Sequence, residues 1–313
     1  PALQALGLLY QTRGALPEAA RAYALALSSR RLLSSRAGAP GADEAAAAAT
    51  RARLAATLSD IGTQVKLEGD VAKAMTRYRE AIATDPSYAP ARYNLGVALH
   101  ELGQSADAEA RYAEAAALDP SHADALCNLG VMRKLRGDVA GAVAAYEACL
   151  SVNPNHAHGT SNMAIALNDL ANAAKLAGDV PAAIRVYERA LTFDSGSAES
   201  MYNLGVAQAE VGELDRAVIA YETTLKLRPG CAEAWNNLGV LLNDLGRQTG
   251  DMKLLREAER TLRATMAARE AEAATLNLGP LPGPSTSSAD PRAVRAGPVL
   301  VGRPTQAPPH PDR

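Results

Sequence analysis

Apolar positions recur at helical spacing along most of the chain. In Asn94-Leu95-Gly96-Val97-Ala98-Leu99 they fall on one helical stripe, which predicts an amphipathic helix. Gly-acid pairs such as Gly137-Asp138 and Gly212-Glu213 interrupt these stretches and predict breaks between paired helices. The pattern has a period. Tyr78, Tyr112, Tyr146, Tyr187 and Tyr221 are spaced 34, 34, 41 and 34 residues apart. Ala74, Ala108, Ala142, Ala183 and Ala217 stand four residues before them. Ala81, Ala115, Cys149, Ala190 and Thr224 stand three after, and Pro86, Pro120, Pro154, Ser195 and Pro229 eight after. Each unit is led by Asn-Leu-Gly, at 94–96, 128–130, 203–205 and 237–239, with Asn162-Met163-Ala164 as the odd member.

A 34-residue unit with these small and aromatic positions resembles the tetratricopeptide repeat, a helix–turn–helix hairpin. The resemblance implies an all-α fold, a right-handed superhelical solenoid of such hairpins. The physics agrees. Gly96, Gly130, Gly205 and Gly239 each cost about 1 kcal/mol of helix propensity against Ala, and a cost repeated on a fixed period requires a repeated gain. The expected gain is close approach of the paired helices, with Ala108, Ala142, Ala183 and Ala217 opposite. No unit buries its apolar face alone, so stacking must build the core.

The irregularities divide the chain further. The 41-residue step inserts seven residues, close to two helical turns, so a longer first helix keeps its stripe on one face. The insert recurs before Gly69-Asp70, Gly178-Asp179 and Gly250-Asp251, and predicts three long first helices. Residues 1–33 hold a first repeat, with Gly7, Tyr10, Ala19, Tyr23 and Ala26 in register. Residues 34–50 are rich in Ser, Gly and Ala and are expected to form a low-complexity loop insertion leading into the helix that reaches Leu58. The core array spans 51–250. Residues 251–278 form a degenerate repeat, with Ala258 and Leu262 in the small and aromatic positions. Nine of the 18 Pro fall in 279–313, and such a tail is expected to be disordered.

Composition narrows the chemistry. Of the 313 residues only 4% are aromatic, and Ala makes up roughly a fifth, which favours helix over sheet. A net charge of −2 argues against a strongly basic nucleic-acid binder. No run of 18 apolar residues suggests a membrane span. Three cysteines make no disulfide framework and suggest a reducing compartment. The chain begins with Pro, so it is expected to be a fragment or a processed product.

A closer resemblance rests on the extended unit Asp60-Ile61-Gly62-Thr63-Gln64-Val65-Lys66-Leu67-Glu68-Gly69-Asp70 and its neighbours. These are Tyr88-Ala89-Pro90-Ala91-Arg92-Tyr93-Asn94-Leu95-Gly96-Val97, then Cys127-Asn128-Leu129-Gly130-Val131, Asn162-Met163-Ala164-Ile165-Ala166-Leu167 and Met201-Tyr202-Asn203-Leu204-Gly205-Val206. In that order and with that 41-residue step, residues 55–245 resemble the repeat region of the plant SPINDLY proteins. These are nucleocytoplasmic O-glycosyltransferases related to the O-linked N-acetylglucosamine transferases. The resemblance implies a repeat arm that recruits intracellular proteins with extended Ser/Thr-rich segments, in gibberellin-type signalling, in cytoplasm and nucleus. It also allows a homodimer formed through the repeats. A full-length parent would use a sugar nucleotide, GDP-fucose or UDP-N-acetylglucosamine, to modify Ser/Thr hydroxyls. Residues 279–313 lack the strand–Gly-loop–helix pattern of a nucleotide-binding lobe, so no cofactor, no catalytic residue and no catalysis are expected of this chain.

The candidate binding residues are Asn94, Asn128, Asn162, Asn203 and Asn237, with Asn277 a possible sixth. Asn is a mediocre helix former, so five in register call for an explanation. One reading is a ladder of amides facing the inner surface and gripping the backbone of an extended peptide, and the related O-linked transferases are known for such a ladder. The other is that each Asn caps or bridges neighbouring helices. At about 0.5–1.5 kcal/mol each, such amides give weak, sequence-tolerant binding. Asp169, Glu210 and Asp244 lie about a turn beyond and are expected on a solvated face. His156 and His158 sit in a turn with no cysteine or carboxylate spacing around them, so a solvated loop and no metal are expected. Cys149 is expected to pack in the core, Ser195 lacks a base nearby in sequence, and Ser285 to Ser288 are possible acceptors of modification. A carboxylate-clamp adaptor is disfavoured, because Pro90, Asp124, His158, Glu199 and Glu233 stand where its cations would be. The alternative function is a stand-alone scaffold for multiprotein assembly.

Overall fold

The computed structural model describes residues 2–37 and 42–275. All regular structure among them is helical. Helices α1 (Ala2–Thr12), α2 (Leu16–Ala37), α3 (Ala42–Leu67), α4 (Val71–Thr84), α5 (Ala89–Glu101), α6 (Ser105–Leu118), α7 (Ala123–Leu135) and α8 (Val139–Val152) pair in order as four hairpins. Helices α9 (Ala157–Leu176), α10 (Val180–Phe193), α11 (Ala198–Glu210), α12 (Leu214–Leu227), α13 (Ala232–Thr249) and α14 (Met252–Thr275) follow as three more. The described chain divides between His158 and Gly159, in the first turn of α9, into two compact units. In the first unit α2 packs on α3, α4 on α5 and α6 on α7; in the second α10 packs on α11 and α12 on α13. Each unit is thus a stack of tetratricopeptide hairpins.

The turn inside each hairpin has one chemistry. The glycine that ends the first helix takes a left-handed φ, at Gly14, Gly69, Gly103, Gly137, Gly178, Gly212 and Gly250. At Gly137 φ is 90°, where a Cβ would be strained, and Asp138 N–H then donates to Arg133 C=O over 2.9 Å, closing the helix end. Asp70, Asp138 and Asp179 next cap the second helix by accepting from the backbone N–H of Lys73, Gly141 and Ala182.

The mid-helix glycines have a different task. A Cβ built on Gly130 would lie 2.5 Å from the ring of Tyr146, and one on Gly96 2.8 Å from the ring of Tyr112. Gly7 meets Tyr23, Gly62 meets Tyr78 and Gly205 meets Tyr221 in the same way. The spacing predicts alanines opposite these glycines. The group pressed against the glycine is instead a tyrosine ring four residues further along the second helix. Ala74, Ala108, Ala142, Ala183 and Ala217 are fully buried one turn earlier. Leu262 takes the ring's place against Gly239 in the degenerate last hairpin.

The three long first helices are present. Helices α3, α9 and α13 have 26, 20 and 18 residues, against 13 in α5, α7 and α11. In α9 the inserted heptad carries the small position on to Ala171, which is fully buried in the cluster of Tyr187. Where the segment 34–50 is described, it is helical rather than the expected loop. Residues 34–37 finish α2, and 42–50 begin α3. The run Ala45–Ala49 is a string of the strongest helix former, and this outweighs its low complexity. The proline-rich tail, Asn277 and Ser285 to Ser288 lie outside the described residues.

Two expectations follow. Gly130→Leu should overpack the hairpin seam and destabilise the chain by about 1–3 kcal/mol in a urea melt, whereas an unchanged midpoint contradicts the close-approach argument. Burial pushes the Asp60 carboxyl on α3 up to about 6 from its ordinary value of 3.8. Its folded pKa is therefore raised, and the stability it contributes is present below the unfolded value and lost as pH rises through about 6. Asp60→Asn should melt higher than the native chain near pH 7.5, with the gain vanishing near pH 4; an equal gain at both values would contradict this.

Candidate functional site

The five candidate asparagines hold equivalent positions on first helices, one turn before the seam. Asn94, Asn128 and Asn162 are 1%, 0% and 0% exposed, and Asn203 and Asn237 are half-buried. The amides of Asn94, Asn128, Asn203 and Asn237 reach the preceding first helix, 35 residues back. In the first unit Asn94 Nδ2 donates to Ser59 Oγ over 3.1 Å, tying α5 to α3. The Asn128 amide hydrogen-bonds the hydroxyls of Tyr93 and Tyr112. In the second unit Asn203 Nδ2 donates to Asn168 Oδ1 over 3.3 Å, and Asn237 Nδ2 to the Tyr202 hydroxyl over 3.1 Å. Burial raises the pKa of Tyr93, Tyr112, Tyr202 and Tyr221, so these hydroxyls stay neutral partners at ordinary pH.

The structure therefore brings the five residues into one register and covers three of them. The amides of Asn94 and Asn128 are used between helices, which is the bridging alternative weighed in the sequence. A buried polar atom without a partner costs about 1–3 kcal/mol; Asn94 Nδ2 avoids that cost through Ser59, while Asn94 Oδ1 is left without a partner.

An open strip does occur in the second unit. Glu199, Asn203, Val206 and Glu210 lie on one side of α11, at successive helical turns. Glu233, Asn237, Val240 and Asp244 repeat it on α13, 34 residues later. The four acids are exposed, Val240 is 47% exposed, and Val206 is half-buried with the two asparagines between the acids. Each strip thus offers an amide and a branched apolar side chain between two carboxylates.

A second group of reactive side chains gathers in the first unit. One ligand atom each from Cys127, Cys149 and His156 lies within 4.8 Å of the other two, and all three residues are buried. His156 Nε2 is 2.9 Å from Asp124 Oδ1. The expectation of a solvated His156 is thus corrected: the ring is 8% exposed, because its turn folds back onto the ends of α7 and α8. His156 and His158 do not converge on one point; their rings meet edge-on with centroids 6.4 Å apart. Sequence reasoning missed Asp124 and Cys127 as neighbours of His156. The only signal was that this one unit carries cysteines where others carry Tyr93, Tyr202 and Asn236, or Ala81, Ala115 and Ala190.

Comparison with known proteins places the array. Tetratricopeptide-repeat family descriptions match residues 66–103, 89–122, 121–195, 168–223 and 202–268, together most of the chain. A probable UDP-N-acetylglucosamine–peptide N-acetylglucosaminyltransferase SPINDLY of Hordeum vulgare is 41% identical over 96 residues, which are 31% of this chain and 9% of that protein. The protein of the same name from Arabidopsis thaliana is 51% identical over 45 residues, 14% of this chain and 5% of that one. The chain thus matches less than a tenth of the length of these relatives. Among solved structures, YrrB, described as a TPR protein with an unusual peptide-binding site, is 22% identical with a TM-score of 0.42, over 62% of this chain and 97% of that one. A repeat protein from Cytophaga hutchinsonii is 14% identical with a TM-score of 0.47, over 68% and 81%. No helix among the described residues is long and apolar enough to cross a membrane. The stacked hairpins, their shared turn chemistry and the matches over 66–268 agree: the chain belongs to the tetratricopeptide-repeat family.

Proposed function

We propose that this chain is a protein-binding repeat arm that recruits flexible Ser/Thr-rich polypeptides to a SPINDLY-like nucleocytoplasmic O-glycosyltransferase. The observation that carries the reading is the 41% identity over 96 residues to the Hordeum vulgare relative, and the long helices α3 and α9 hold the extended unit and the 41-residue step on which the resemblance rests. The relative's name supplies the chemistry, sugar transfer from a nucleotide donor to a polypeptide. On this reading GDP-fucose or UDP-N-acetylglucosamine is bound by a catalytic part outside this chain, and the arm raises the local concentration of acceptor hydroxyls. Its setting is cytoplasm and nucleus, with growth-hormone signalling proteins among its substrates.

The surface we assign to the polypeptide is the repeated strip on α11 and α13. Asn203 and Asn237 have surface left after their inter-helix bonds, and each amide offers a donor and an acceptor to an extended backbone. Val206 and Val240 supply apolar contact one turn on. The flanking Glu199, Glu210, Glu233 and Asp244 favour segments that carry some Lys or Arg among their Ser and Thr.

The test is fluorescence polarisation with the full chain and a labelled, unstructured Ser/Thr-rich peptide. Asn203→Ala with Asn237→Ala should weaken binding roughly tenfold. Val240→Asp should weaken it with the melting temperature unchanged, since Val240 is exposed. Unchanged affinity in both variants contradicts the assignment of this surface.

A further inference from the structure

We propose that Cys127, Cys149 and His156, with Asp124 behind the histidine, form a binding site for one thiophilic metal ion of the zinc class. Two thiols and an imidazole are the donors such an ion selects, at about 2.3 Å for sulfur and 2.0–2.1 Å for nitrogen. Around a tetrahedral ion, donors at those lengths stand roughly 3.4–3.8 Å from one another. In the structure the three donor atoms already lie within 4.8 Å, so closing on an ion requires movements of about an ångström.

The surroundings are those of a metal site. His156 Nε2 bonds the Asp124 carboxylate at 2.9 Å, and a carboxylate on one ring nitrogen fixes the tautomer so that the other presents its lone pair. The Asp124 side chain is 31% exposed while that of His156 is 7% exposed, so the buried ring is held by a carboxylate that itself reaches solvent. The thiols sit on α7 and α8, the two helices of one hairpin, and the histidine on the turn that follows, so an ion would cross-link three segments. None of the three cysteines is disulfide-bonded. The Cys149 thiol is held below its ordinary pKa, chiefly by the hydrogen bond from Cys127, which favours the thiolate that a metal requires. The Tyr146 hydroxyl is buried without a hydrogen-bond partner, and its pKa is raised first by burial and then by the charge of these two thiols. A polar atom left open beside both donors is what a bound ion or its water would satisfy.

The array supplies its own control. Ala81, Ala115 and Ala190 occupy the register position of Cys149, so Cys149→Ala restores the repeat's usual residue and should keep the fold. The experiment uses the full chain, reduced, stripped with a chelator, and titrated with zinc chloride against a chromogenic competitor. Cobalt(II) reports the donor set through thiolate-to-metal charge-transfer absorption. The expected result is one zinc per chain, proton release on binding, a higher melting temperature, and cobalt spectra of a two-thiolate tetrahedral site. Cys149→Ala should abolish the charge-transfer band with helical circular dichroism unchanged. Asp124→Asn should weaken zinc binding by roughly 10–100-fold. The proposal is overturned if the chain with titrated, reduced thiols takes up no stoichiometric zinc, if Cys149→Ala binds as tightly as the native chain, or if the two thiols instead close a disulfide that zinc does not prevent.

Discussion

Five of the seven described hairpins depend on a gap of one missing methyl group, at Gly7, Gly62, Gly96, Gly130 and Gly205. In each regular hairpin a glycine on the first helix lets a tyrosine ring of the second lie flat against the backbone, as Tyr146 does on Gly130. The ring is then buried, and its hydroxyl meets the first helix of the same hairpin, as Tyr23 does at Gln11 and Tyr78 at Thr63. Burying an aromatic body outweighs the roughly 1 kcal/mol of helix propensity that the glycine forfeits. Within each unit the hairpins that repeat this contact present the same faces to their neighbours; in the hairpin of α9 and α10 Ala171 holds the small position beside Tyr187, and in the last hairpin Leu262 replaces the ring.

The asparagine row follows from that placement. At two places an asparagine of the next first helix meets a tyrosine hydroxyl: Asn128 meets those of Tyr93 and Tyr112, and Asn237 that of Tyr202. An amide that satisfies a buried hydroxyl fixes the register between successive first helices, and register is what a stack of near-identical parts most needs. The same residue type thus serves two ends. Where neighbouring helices cover it, as at Asn94, it is a tie; where the first helices leave it partly open, as on α11 and α13, surface remains for a polypeptide backbone.

The fold was legible because period is a property of sequence. The tyrosines, the turn glycines and the recurring heptad insert place the hairpins and the three long first helices from sequence alone. Burial is not periodic in the same sense, and there the reading ran out. Asn94 and Asn203 stand in identical surroundings of sequence, yet one is enclosed and the other half-open, because enclosure depends on what packs from the neighbouring helices. The Ser-, Gly- and Ala-rich composition of 34–50 points to a loop, yet the five alanines from 45 to 49 have the strongest helix propensity and extend α3. The group around His156 left no trace in local spacing: Cys127 and Cys149 are 22 residues apart and Cys149 and His156 seven, intervals set by the hairpin's geometry.

The central claim is that the amide row locks one first helix to the next, and a double-mutant cycle on Asn237 and Tyr202 measures that lock directly. With Asn237→Ala, Tyr202→Phe and the double variant compared by urea unfolding, the account predicts a coupling energy of about 0.5–1.5 kcal/mol. Additive effects, with no coupling beyond the error of the melts, would contradict it and leave the asparagines free for a ligand alone.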